Sequence, residues 1–333
     1  SNVIGAASFQ ATVTAVGAAT FKDDVSVSGN TRLLGTVTVG GAVSLASSLS
    51  VGGVANFANT VTIAGAVSLA STLSVGGASN FASTVTVVGA GTFKDDVSVS
   101  GNTRLLGTVT VGGAVSLAST LSVGGVANFA DTVTVAGAVS LASTLSVGGA
   151  SNFASTVTVV GAAAFKSNVS VSGNVDIAGN VSVGGTLFAA GGITYDGNVS
   201  VSGNLAVGGN VSVGGTLSVT GAVSLASTLS VGGATNLLGT VTATGNAGFL
   251  GTVRVSGATS LEAALNVTGA ALFSSTVTVV GAGTFKSNIS VSGTTKLLGT
   301  VTATGNTGFL GTVRVSGATS LEAGLVVGGK AEF

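Results

Sequence analysis

The sequence predicts an all-β, fibrous rod of twelve-residue repeats, and three observations carry that expectation. Taking Gly5 as origin and stepping by twelve reaches Gly329 through 28 positions, every one of them Gly, with no slip of phase. Within each repeat Val-x-Val alternates with a period of two between flanking Ser and Thr, the pattern of strands with one buried and one solvated side. Pro is absent from all 333 residues and nothing recurs at a spacing of 3.6, so the chain keeps every backbone N–H for a continuous ladder and offers no helix. A strict period of this kind marks a repeat architecture.

Each part of the repeat has a physical reading. The phase glycines, among them Gly17, Gly29, Gly41, Gly53, Gly65, Gly77, Gly89, Gly101, Gly113 and Gly125, read as turn positions that need a positive φ or a close backbone approach. Four residues after each stands a large apolar residue, as at Phe57, Leu69, Phe81, Phe93, Leu105 and Phe129, which predicts the core; Ala189 is the exception. Ser, Asn, Gly or Asp near the repeat boundary makes a second turn, so the repeat runs strand, turn, strand, turn. Between Gly173 and Gly221 glycine also fills the half-steps, a six-residue sub-repeat in which the two halves are equivalent. There Ala189 and Tyr195 exchange a large residue for a small one and back, which reads as size compensation in the core, and Tyr195-Asp196-Gly197 reads as a turn.

Longer periods are present. Residues 20–91 and 92–163 match except at Ser48/Thr120, Asn59/Asp131, Ile63/Val135 and Gly91/Ala163, and an echo sixty residues apart relates Thr240–Gly257 to Thr300–Gly317. Copying that preserves phase alters length and leaves the cross-section alone, as a spacer requires.

Composition excludes most other classes. Charged residues are 6% of the chain, net charge is zero, and His and Cys are absent, so Ser/His and Cys/His dyads, imidazole or thiolate metal sites and disulfides are all ruled out. Phosphate contacts need clustered Lys and Arg, so nucleic acid is not an expected partner. No apolar run approaches the length of a membrane-spanning helix. No enzymatic activity and no cofactor is expected. The opening Ser1-Asn2-Val3-Ile4 reads as the start of a fragment of something longer, and residues 1–333 as one continuous shaft.

The number of chains is argued from the surface. Leu34, Leu106, Leu238, Leu250, Leu298 and Leu310 directly follow a buried position, and Val16, Val88, Val160 and Val280 directly precede a phase glycine, so alternation turns them outward. Such stripes call for cover, which favours a homotrimer sharing one core around an axis, with Leu34, Leu106, Leu238 and Leu298 as inter-chain contacts. The alternative is a single-chain, two-sided solenoid of twelve-residue rungs, about 130 Å long at ~4.8 Å per rung.

Repeats such as Gly221–Gly232 and Gly209–Thr220 resemble the Gly/Ser/Thr/Val repeats in shafts of tailed-bacteriophage tail fibres, and more distantly the triple β-spiral fibres of adenovirus and reovirus. The resemblance spans nearly the whole chain. It implies a trimeric rod on a virion surface or outside the cell, holding a distal receptor-binding tip away from a basal attachment protein. The period of twelve, against fifteen in the spiral, and the lack of Pro and of any tip domain depart from that pattern. A cellular adhesin stalk or extracellular filament is the alternative of the same kind.

The remaining candidates are few. Lys22-Asp23-Asp24 and Lys94-Asp95-Asp96 read as solvated turns that Arg32 and Arg104 pair with, not as calcium or acid–base sites. Arg254 with Glu262, and Arg314 with Glu322, read as surface pairs worth ~0–1 kcal/mol. The sequons at Asn168, Asn180, Asn198, Asn210, Asn266 and Asn288 follow from the repeat itself. Thr-x-Thr pairs from Thr12/Thr14 and Thr36/Thr38 to Thr156/Thr158 raise a third reading: stacked on one flat face they would form the threonine ladder of insect ice-binding solenoids, whose period is also twelve.

Overall fold

The computed structural model describes residues 2–333 as strands and turns without a helix. Nearly every strand is three residues long and is followed by a three-residue turn, so the structural unit is a hexad. The first and third strand residues are buried and the second faces out, as in Val37–Val39, Val43–Leu45 and Leu49–Val51. This is the alternation read from Val-x-Val, and two hexads make each twelve-residue repeat.

The coil is not twelve residues long. Ala55–Phe57 pairs in parallel with Val37–Val39 on one side and Leu73–Val75 on the other, a register of eighteen residues that recurs throughout. Three hexads therefore close one coil, and the fold is a three-sided parallel β-solenoid, where a two-sided rung was the alternative. Face one contains Ala19–Phe21, Val37–Val39 and Ala55–Phe57. Face two contains Val25–Val27, Val43–Leu45 and Val61–Ile63. Face three contains Thr31–Leu33, Leu49–Val51 and Val67–Leu69. Each strand donates to the next coil and accepts from it, as in Val37 N–H to Val54 O at 2.8 Å and Gly52 N–H to Leu33 O at 2.8 Å.

Side-chain size explains why a twelve-residue pattern winds on an eighteen-residue coil. Along the chain the third strand position alternates large and small: Leu33, Val39, Leu45, Val51, Phe57. On a twelve-residue rung every Phe or Leu would stack on another, and every Val on a Val. With three faces, an odd number, most axial neighbours are of the other size; Ile63, between Leu45 and Phe81, and Val201, between Val183 and Val219, are exceptions. Face one reads Phe21, Val39, Phe57, Val75, Phe93, Val111, Phe129 from coil to coil, so large and small side chains interdigitate along the axis. The core residues named from sequence, Phe57, Leu69, Phe81, Phe93, Leu105 and Phe129, are all buried. One chain closes this core by itself, so its three faces supply the interior that three chains were expected to share.

The chain forms two compact units, Ser1–Ser167 and Asn168–Phe333, each of about nine coils at eighteen residues per coil. At ~4.8 Å per coil each unit rises roughly 43 Å.

The glycine expectation splits. Gly5 has φ of 96°, and no other described glycine has positive φ, so the left-handed turn is not the reason for the period. The reason is close approach. A Cβ on Gly125 would lie 2.7 Å from both Gly107 C and Thr108 N, backbone of the preceding coil. Gly17, with open space around it, shows the difference at the start of the stack.

Candidate interaction surface

The outward groups fall in columns eighteen residues apart. In the N-terminal unit the middle strand position of face one carries Thr20, Thr38, Asn56, Ser74, Thr92, Thr110, Asn128 and Ser146, before Ala164. Face two carries only Ser, Thr and Asn there, and face three adds Arg32 and Arg104. These hydroxyl and amide columns solvate a strand surface that has almost no charge.

Side chains at the corners tie coil to coil. The last turn residue, when Asn or Asp, accepts the backbone N–H of its counterpart one coil on at every such position among the described residues except Asn306: Asp24 Oδ1 from Ala42 N–H at 2.8 Å, Asp96 Oδ1 from Ala114 N–H at 2.8 Å, Asn204 Oδ1 from Ala222 N–H at 2.8 Å. Five of the six sequon asparagines are such staples: Asn168, Asn180, Asn198, Asn210 and Asn288. Asn266 instead faces out from the strand Leu265–Val267. Sequence reasoning missed this role because the partner is eighteen residues away, a distance the twelve-residue period hides. Where glycine also fills the half-steps, corner peptides pair as well, as in Gly203 N–H to Gly185 O at 3.0 Å and Gly221 N–H to Gly203 O at 3.1 Å.

The charged residues are arranged differently from the expected pairs. Arg32 lies on face three, while Asp23 and Asp24 lie on the corner between faces one and two; Arg104 and Asp95-Asp96 are related in the same way. Arg254 stands between Asn236 and Leu272 on face one, away from Glu262. Arg314 pairs with Glu332, its neighbour one coil on, at 3.7 Å, and not with Glu322. All four expected pairings fail for one reason: eight or nine residues along the chain lead to another face or corner, and eighteen lead back to the same one.

The threonine ladder fails likewise. Successive Thr-x-Thr pairs are 24 residues apart, four hexads, so each moves on by one face: Thr14 belongs to face three, Thr38 to face one and Thr62 to face two. On any one face they recur every 72 residues, about 19 Å apart, where an axial ladder needs ~4.8 Å.

The apolar residues predicted to face outward do so. Leu34, Leu106, Leu238 and Leu298 are between 38% and 48% exposed, and Val16 reaches 76%. In the N-terminal unit Val16, Leu34, Val88, Leu106 and Val160 fall in one column, on the corner between faces three and one.

Inside, Tyr195 ends the strand Ile193–Tyr195 and does not belong to the turn, which starts at Asp196. It is 2% exposed and packs in column with Ile177 and Val213, while Ala189 on the preceding face of the same coil is fully buried. Burial raises the Tyr195 hydroxyl far above the usual tyrosine range. Eight buried hydroxyls, including Thr31, Ser79, Thr103 and Ser151, have no hydrogen-bond partner.

No family model matches the chain, and comparison with curated proteins and with solved structures finds no match either.

Proposed function

We propose that this chain is a non-catalytic structural spacer, the shaft of a fibre. The observation that supports the reading is the 72-residue duplication, which equals four coils. Apart from four positions, residues 20–91 and 92–163 present the same side chains on the same faces and corners, so copying lengthens the stack and leaves its cross-section nearly unchanged. Outward groups are small, hydroxylated and repetitive, which suits a solvated shaft and gives no converging set of reactive groups.

The likeness of the repeats to tailed-phage fibre shafts makes a virion or extracellular fibre the first candidate, with a distal tip and a basal partner outside this sequence; an adhesin stalk has the same physics. Homotrimeric assembly belongs to this proposal as a surface association, because each chain carries its own core. Removing residues 20–91 tests the spacer reading. The shortened protein should fold with an unchanged β spectrum and lose about 19 Å of axial length by small-angle scattering, four coils at ~4.8 Å. Loss of folding would reject it.

A further inference from the structure

In the N-terminal unit the arginines stand apart from the carboxylates, while Lys22, Lys94 and Lys166 share the carboxylates' corner and leave it a net charge of −2. The unit's five carboxylates, at positions 23, 24, 95, 96 and 131, all stand on the corner between faces one and two. Arg32 and Arg104 stand outward on face three, which carries no acidic residue in this unit. These guanidiniums therefore face solvent with no carboxylate of their own chain beside them.

We propose that a second copy of this chain docks against face three in parallel and without axial stagger, bringing its face two and its acidic corner beside Arg32 and Arg104. Spacing is the first argument. The arginines are 72 residues apart and so are the Lys-Asp-Asp clusters, so both sets repeat every four coils, about 19 Å at ~4.8 Å per coil. Axial level is the second. Arg32 follows Asp24 by eight residues and Arg104 follows Asp96 by eight, less than half a coil, or about 2 Å of rise. A copy related by rotation about an axis parallel to the stack has no stagger, so both arginines meet both acidic clusters at once, in a heterologous contact.

The surfaces between the charges fit the same arrangement. Leu34 and Leu106, each two residues beyond an arginine, are 47% and 46% exposed and form part of the apolar corner column. A shallow depression of about 320 Å³ on face two and the corner after it, with Ser44, Thr62, Asn80, Ala46, Ala64 and Ala82 in its lining, extends to Ser98 and Ser100 at the level of the second acidic cluster and carries no charge. Opposed charges at the rim and small side chains between them set register in the way interfaces use electrostatic complementarity.

Charge exchange tests this on the full chain by sedimentation. The native protein should be heavier than its 31.1 kDa monomer. R32E/R104E and D23R/D95R should each sediment as monomers, and mixing the two should restore heavier species. Register is tested with cysteine pairs, since the chain has none of its own. Oxidised R104C/D95C should link between copies, whereas R104C/D23C, displaced by four coils, should not. A native monomer at every concentration, charge variants that associate as the native chain does, a mixture that stays monomeric, or equal linking of both cysteine pairs would overturn the proposal. Should the charge variants fail to fold by circular dichroism, the cysteine pairs decide it. A monomeric result leaves the spacer reading standing.

Discussion

The two units hold the same hexad in different ways, and the contrast comes from arithmetic. In the N-terminal unit the copied length is 72 residues, a multiple of eighteen, so like residues return to the same corner: Leu34 and Leu106 share one, as do Lys22, Lys94 and Lys166. In the C-terminal unit the echo is sixty residues, ten hexads, which advances every copied feature by one face. Arg254 lies on face one and its counterpart Arg314 on face two. Both copies preserve the core, because an even number of hexads preserves the alternation of large and small. Only the first preserves the surface. Interior packing and surface patterning thus obey separate counting rules within one fold.

The strongest way to break this comparison is by deletion. Removing one whole coil, residues 55–72, places Val75 on Val39, Phe81 on Leu45 and Val87 on Val51, so large meets large and small meets small. The overpacked contact alone should cost about 1–3 kcal/mol, and with the two gaps the melting temperature should fall by roughly 5 °C or more. Removing only twelve residues, 55–66, keeps large on small and should melt close to the native chain, although it removes two thirds of a coil. In the C-terminal unit the residues Val201, Val207, Val213 and Val219 do not alternate in size, so deleting 199–216 should be mild. Calorimetric scans that rank 55–66 below 55–72, or the two eighteen-residue deletions alike, would refute the parity rule.

Corner substitutions probe the next level. Gly125→Val drives a side chain into the Gly107 and Thr108 backbone and should destabilise the protein by about 1–3 kcal/mol in denaturant unfolding. Gly17→Val, with open space around it, should be close to neutral. Similar losses at both would mean that close approach between coils is not what selects glycine.

The buried hydroxyls allow a gain. Thr103 lies in column between Val85 and Leu121 with an unpartnered Oγ1. Thr103→Val removes that group at constant shape and should stabilise by about 1 kcal/mol, since an unsatisfied buried hydroxyl costs ~1–3 kcal/mol. Thr31→Val, its copy four coils away, should add independently. A loss of stability in either would contradict the assigned burial.

The smallest effect is optical. Tyr195 is the single tyrosine and the chain has no Trp, so phenolate absorbance reports on one group. Its folded pKa is raised, so its contribution to stability is complete below the unfolded value of about 10 and is lost as pH rises above it. The folded protein should show no phenolate signal one pH unit above that value, and the signal should appear with unfolding. An ordinary titration near pH 10 in the folded state would place the ring at the surface.

The hexad, the inward Phe and Leu, the outward Leu and Val and the glycine corners were all legible from local spacing. The coil length was not, because six divides both twelve and eighteen and local alternation is blind to how many strands close a turn. The recurrence of Phe21, Phe57, Phe93, Phe129 and Phe165 at 36 residues does not decide it either, being two coils of eighteen or three rungs of twelve; what separates the two is the packing of large on small residues between coils, which only an odd number of hexads per coil gives. The misassigned ion pairs and the threonine ladder follow from that single missing number, as does the role of Asn and Asp as staples between coils.

The distance between Ser50 and Thr158 tests the coil length most directly. Both face outward on face three of the N-terminal unit, 108 residues apart. Spin labels on S50C/T158C, diluted into unlabelled protein and read by pulsed electron paramagnetic resonance, should lie about 29 Å apart, six coils at ~4.8 Å. A separation of about 43 Å, nine twelve-residue rungs at the same rise, would contradict the eighteen-residue coil.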